Sequence, residues 1–156
     1  MNQVRYNLPV LVRMALGAVF IYAAVLKIAD PVAFAGSVAA YQILPYFGSY
    51  LTAAVLPFVE LTCGVLLVTG YRVKGGALII AAMNVVFMVA LAAAIARGLD
   101  IDCGCFKQGG AKTSAWTALL RDVVFLAMTV FVLKAETKRT SREAAPAVSD
   151  TADLAQ

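Results

Sequence analysis

Four long apolar runs, separated by short polar or Gly/Pro-marked breaks, organise this chain. A helix crosses the hydrocarbon core of a bilayer with about 20 consecutive apolar residues, and every run is long enough. The pattern predicts spans over about 8–28 (LPVLVRMALGAVFIYAAVLKI), 50–71 (YLTAAVLPFVELTCGVLLVTGY), 75–96 (GGALIIAAMNVVFMVALAAAIA) and 116–133. Between the first two spans, Val32, Phe34, Val38, Tyr41 and Leu44 recur at helical spacing between Pro31 and Pro45. That spacing predicts a short amphipathic helix at the membrane surface, with Tyr41, Tyr46 and Phe47 at headgroup depth. After residue 133 the pattern ends. KAETKRTSREAAPAVSDTADLAQ is charged, small and polar, so 134–156 reads as a disordered tail. The expected fold is all-α: a polytopic membrane four-helix bundle in one domain, 1–133, followed by that tail.

Composition agrees, since 62% of the residues are hydrophobic and 14% charged, outside the range of an ordinary soluble domain. Arg13 interrupts the first run and no small-x-small cleavage site follows, so that run is read as a retained span and not a signal peptide. Basic residues beside the spans set orientation, because positive loops stay in the cytoplasm. Arg5, then Arg72 and Lys74, then Lys134, Lys138, Arg139 and Arg142 place both termini and the turn between spans two and three inside. The segment 30–49 holds one acid and no base, which suits the exterior. The 97–115 loop then lies outside too, although its three bases against two acids pull weakly the other way. The net charge of +4 is accounted for by topology and calls for no nucleic acid. In a bacterium this is an inner-membrane protein whose 97–115 loop faces the periplasm, an oxidising compartment.

That loop carries the most distinctive chemistry, DIDCGCF, with Cys103 and Cys105 one residue apart. Fully extended backbone would hold their Cα atoms near the upper limit of about 6.8 Å for a disulfide. Gly104 permits the bend that brings them closer. So small a ring is strained, and strain makes a bridge readily exchangeable. The pair therefore suits a redox couple, with Lys107 and Arg121 favouring thiolate and Asp100 and Asp102 opposing them. Other readings stay open. Two thiolates with the carboxylates of Asp100 and Asp102 offer a soft-metal site of copper type; the chain has no histidine, which removes histidine-ligated haem. An unremarkable loop with oxidisable thiols, or a non-catalytic scaffold for a redox partner, is also compatible, so whether the chain is an enzyme stays undecided.

Charges inside spans are costly and mark pairing or a pathway. Arg13 and Lys27 sit near opposite ends of span one, where each can snorkel to an interface, and Lys27 can also meet Asp30 at i+3. Glu60 lies about 15 Å below the expected outer start of span two, and Arg121 and Asp122 about 7 to 9 Å below that of span four. Lys27, Glu60, Arg121 and Asp122 are expected to form a neutralising network beneath the cysteine loop, either bracing the helices or carrying protons or electrons. Cys63 is too far from the loop to bridge to it and reads as packing, and Gly75, Gly76 and the LAAAIA run allow close helix approach.

Taken together, KIADPVAFAGSVAAYQILP, PFVELTCGVLLVTG and GLDIDCGCF followed by SAWTALLRDVVFL resemble the methylamine-utilisation MauE family of membrane proteins, related to the DoxX group. The likeness covers about 8–133. It departs from the family's expected glycine after CGCF, where this chain has Lys107. The resemblance implies a four-helix inner-membrane protein that supports disulfide formation or maturation of an exported cysteine-containing client, notably the small subunit of methylamine dehydrogenase. It also implies a thioredoxin-like periplasmic partner, with Cys103 and Cys105 as the redox pair. Quinone is the candidate cofactor for passing electrons onward.

Overall fold

In lipid, every backbone polar group must be satisfied within the chain, which leaves long helices as the available spanning structure for runs of this length. The computed structural model describes the backbone of residues 2–99 and 115–153 and the side chains of 8–99 and 116–138. It consists of α1 (Asn2–Ala29), α2 (Pro31–Ala40), α3 (Tyr46–Thr69), α4 (Val73–Ala96) and α5 (Ala115–Asp153). Among the described residues, four stretches are long and apolar enough to cross a membrane: Leu8–Ala29, Tyr46–Thr69, Val73–Ala96 and Trp116–Lys138. The chain is a multi-pass membrane protein. Its outward surface is correspondingly apolar, with Leu11, Val25, Phe58, Leu78, Val86 and Leu120 exposed, because lipid tails take the place of water there.

The four long helices form a ring in chain order, α1 on α3, α3 on α4, α4 on α5 and α5 back on α1, while α2 lies against α3. Sequential neighbours are antiparallel. The early part of α1, the α3–α4 turn and the later part of α5 gather at what we term the terminal end; α2 and the ends of α4 and α5 that flank 100–114 occupy the α2 end. The α1–α3 crossing is the tightest. A Cβ at Gly17 would lie 2.8 Å from the Gly64 carbonyl oxygen, and one at Gly64 2.9 Å from that of Gly17. Only hydrogen at both positions lets the backbones approach so closely. Around this crossing Leu16, Phe20, Cys63, Leu67, Ile80 and Val132 form a dry core. Gly76 serves helix approach as expected, meeting Leu67, whereas Gly75 faces open space.

Several boundaries differ from the sequence pattern. Span two begins at Tyr46 and not near residue 50, because extended Pro45 (φ −61°, ψ 160°) is the N-cap of α3 and its missing N–H falls where a helix has no use for one. Tyr46 and Phe47 thus lie in the first turn, exposed, with the Tyr46 hydroxyl donating to that of Tyr50 at 3.1 Å. The expected surface helix is present but ends at Ala40. Asp30 caps its start, accepting from the Ala33 N–H at 3.0 Å, with Pro31 in the first turn. Leu44 lies beyond the helix. Tyr41 is buried among Leu91, Ala94 and Ala118 and does not lie open at the surface of the bundle. Finally, α5 does not stop at 133. Helical backbone continues to Asp153 through the segment expected to be disordered, whose Ala, Glu, Lys and Arg residues are strong helix formers.

Candidate functional site

The cysteine pair, Cys103 and Cys105, with Gly104, Asp100, Asp102 and Lys107, lies outside the described residues. Both ends of the chain that lead into this segment are described, and both are fastened. The Arg97 guanidinium at the end of α4 donates to the carbonyl of Tyr41 at 3.1 Å and to that of Gln42 at 3.3 Å, capping the α2–α3 connection. Ala118, in the first turn of α5, packs with Tyr41 and with Leu91 and Ala94 of α4. Arg97 is therefore a structural clasp, which explains a basic residue at an end of the bundle that the charge pattern alone assigns to the exterior.

Beneath this clasp the four charged residues expected to associate do so. Lys27 and Glu60 are almost wholly buried, at 2% and 4% exposure, and the ammonium donates to both carboxylate oxygens, at 2.5 and 2.7 Å. The two residues stand at different heights on antiparallel helices, and the direction of side chains explains how they meet. Helical side chains lean toward the N-terminus of their own helix, so Lys27 reaches down from the α2 end while Glu60 reaches up. Lys27 thus turns inward to Glu60 and not outward to the interface, and Asp30, its expected i+3 partner, caps α2 instead. Since α3 starts at Tyr46, Glu60 lies about 21 Å along the helix at 1.5 Å per residue, deeper than the expected 15 Å.

Phe34 of α2, 1% exposed, roofs the ammonium with its ring centroid 5.0 Å away, and the Phe87 ring of α4 stands at 5.8 Å. Cation–π attraction of this kind strengthens when the charge is removed from water. On α5 the Arg121 guanidinium donates to Asp122 Oδ1 from Nε at 3.2 Å and from Nη2 at 3.0 Å. Asn84 of α4 donates to the Asp122 backbone carbonyl at 2.8 Å, binding α4 to α5 at the same level. Lys27, Glu60, Asn84, Arg121 and Asp122 all line one cavity of ≈ 40 Å³, walled otherwise by Val19, Phe20, Ala23, Met83, Phe87 and Phe125.

Sequence reasoning named the four charges and missed Asn84, Phe34 and Phe87. Asn84 had a signal, being the one amide in a span otherwise free of strongly polar side chains, and a polar residue inside a span marks an interhelical contact. Phe34 and Phe87 had none, since aromatics at helical spacing look like ordinary core. At the terminal end, Arg13 is not free at the interface. Its Nη1 lies 3.9 Å from Glu136 Oε1, and its guanidinium covers Gly70, whose positive φ of 79° closes α3. Cys63 is buried and unbridged within the dry core, as expected.

Comparison with known proteins bears on the whole arrangement. The family model described as Methylamine utilisation protein MauE matches residues 5–135. The Methylamine utilization protein MauE of Paracoccus denitrificans is 36% identical over 121 residues, covering 77% of this chain and 65% of the relative. That of Paracoccus versutus is 35% identical over 117 residues, covering 74% and 63%. That of Methylophilus methylotrophus is 40% identical over 88 residues, covering 55% and 46%. The chain thus spans less than two thirds of the length of these curated relatives. No solved structure gives a significant match. The matched region takes in the first three spans and nearly all of the fourth, the Lys27–Glu60 and Arg121–Asp122 pairs and the cysteine segment between α4 and α5: the chain belongs to the MauE family.

Proposed function

We propose that this chain is a membrane accessory protein of methylamine utilisation that works by thiol–disulfide exchange at Cys103 and Cys105. A thiolate of a thioredoxin-like partner in the periplasm attacks the Cys103–Cys105 disulfide, giving a mixed disulfide, and the partner's second thiolate resolves it. The partner leaves as a disulfide and the pair as a dithiol holding the two electrons and two protons the partner has given up, which must pass on to an acceptor before the next turnover. The ultimate client is an exported cysteine-rich protein, with the small subunit of methylamine dehydrogenase as the leading candidate. Quinone is the proposed carrier for the electron pair, meeting the protein from the lipid.

The observation that supports this most is the fastening of both ends of the cysteine segment. Arg97 holds the end of α4 to Tyr41 and Gln42, and Tyr41 holds the start of α5. Exchange between two partners needs sulfur atoms presented at a fixed place above the membrane, and these contacts anchor the segment's two ends. A Cys103→Ser variant supplies the test. Loss of partner oxidation and client maturation, with normal insertion and folding, is expected. Unchanged maturation would leave a scaffold, and protection of both thiols by copper(I) in the reduced protein would favour metal transfer.

A further inference from the structure

The four charged groups around the cavity do more than cancel. We propose that the cavity is a water-occupied proton-exchange site in which Glu60 and Asp122 trade a proton through bridging water, with Lys27 and Arg121 as fixed counter-charges. This does not depend on the cysteine chemistry and stands on the geometry of the bundle.

The volume is the first argument. A cavity of ≈ 40 Å³ exceeds the volume of about 10–15 Å³ that it takes to hold one water. Size alone does not hydrate a cavity, since apolar ones stay dry, and a retained water needs about two to four polar partners. The lining supplies them from three helices: the Glu60 carboxylate of α3, the Asn84 amide of α4, and the Asp122 carboxylate and Arg121 guanidinium of α5. Glu60 accepts two bonds from Lys27, yet a carboxylate has about four acceptor positions, so capacity remains toward the cavity.

Charge is the second argument. Among the described residues, the charged groups lining the site are Lys27 from α1, Glu60 from α3, and Arg121 and Asp122 from α5. From α4 comes uncharged Asn84; Cys63 follows Glu60 one turn on, and α2, which has no charged residue, sets Phe34 over Lys27. These two cations and two carboxylates balance one another. One added proton is then the smallest change of state open to it, and a bound water lets that proton move from one carboxyl to the other. The O–H bond of one acid breaks as a water O–H forms, and a second water O–H breaks as the other carboxyl gains its proton. The two sides differ. Phe34 stands over Lys27 beneath α2, while the Arg121 side chain is 24% exposed, which makes the α5 side the proposed point of proton entry.

The test uses the full chain in lipid nanodiscs. Radiolytic labelling in ¹⁸O water, read by mass spectrometry, reports protein-bound water at Met83, Phe87 and Phe125 without any mutation. Labelling of these wall residues in the native protein, falling several-fold in the cavity-filling variant Ala23→Leu, is expected. Infrared difference spectra across a pH change then identify the Glu60 carboxyl band by its loss in Glu60→Gln, and Asp122→Asn is expected to move the pH at which that band appears. Absence of label in the native protein would show a dry cavity and overturn the proposal. So would a Glu60 band whose titration is the same with Asp122 and with Asn.

Discussion

The two halves of the bundle solve the same problem of helix association in lipid by opposite means. The half toward the terminal end has an apolar centre, with Gly17 and Gly64 letting α1 and α3 touch, Leu16, Cys63, Leu67 and Val132 filling the space behind them, and the Arg13–Glu136 pair at its rim. The half toward the α2 end is ionic, with Lys27–Glu60, Arg121–Asp122 and Asn84 around a small cavity and Phe34 over the Lys27 ammonium. Small-residue packing gives close helix contact without burying a charge. Burying charges carries a desolvation cost that attraction between partners only partly offsets. The buried charges lie at the end where the cysteine segment is fastened.

The sharpest way to break this contrast is to leave one buried charge without its partner. Glu60→Leu strands the Lys27 ammonium and is expected to destabilise the bundle by about 3–5 kcal/mol, seen as a large loss in thermal unfolding in detergent. Lys27→Met combined with Glu60→Leu is expected to recover most of that loss. If the single and double variants are equally unstable, the pair is not the unit described here.

Next in size is the dry half. Gly64→Val places a Cβ where Ile21 Cγ1 would be 2.8 Å away, and forcing α1 from α3 is expected to cost about 1–3 kcal/mol. Because Lys27 and Glu60 share these two helices, the same variant should also loosen the ion pair, detectable as faster hydrogen exchange around Glu60. A smaller effect is expected from Arg97→Ala. Losing the two carbonyl contacts at Tyr41 and Gln42 should cost about 1 kcal/mol, yet protease cleavage within 100–114 should quicken markedly. Smallest is Glu136→Gln: a pair at 3.9 Å that is partly open to solvent is worth about 0–1 kcal/mol, and the melting temperature should hardly move.

What the sequence made legible follows the range of the forces involved. Spans were readable because hydrophobic transfer acts residue by residue, and association of the four charges was readable because an unpaired ion in lipid is prohibitive. Their pairing was not. Lys27 stands near the end of its helix, where snorkelling outward is the local expectation; its turn inward depends on Glu60, 33 positions away, and on the register set by Gly17 against Gly64. The packing of Tyr41 was unreadable for the same reason, since only the meeting of α4 and α5 buries it. The start of α3 was misplaced because Pro45 reads as a break, while it is also an acceptable helix cap. Glu136 was assigned to a tail because composition changes there, although helix propensity does not.

The most direct measurement is cysteine accessibility in intact bacterial cells, using a membrane-impermeant alkylating reagent before and after reduction, with mass spectrometry resolving each site. The account predicts that Cys103 and Cys105 resist labelling as isolated, take one label each from the periplasmic side after reduction, and that buried Cys63 takes none in either state. Labelling of the pair only when the cytoplasm is opened, or a pair that is fully reduced and never exchanges with a periplasmic disulfide, would contradict it.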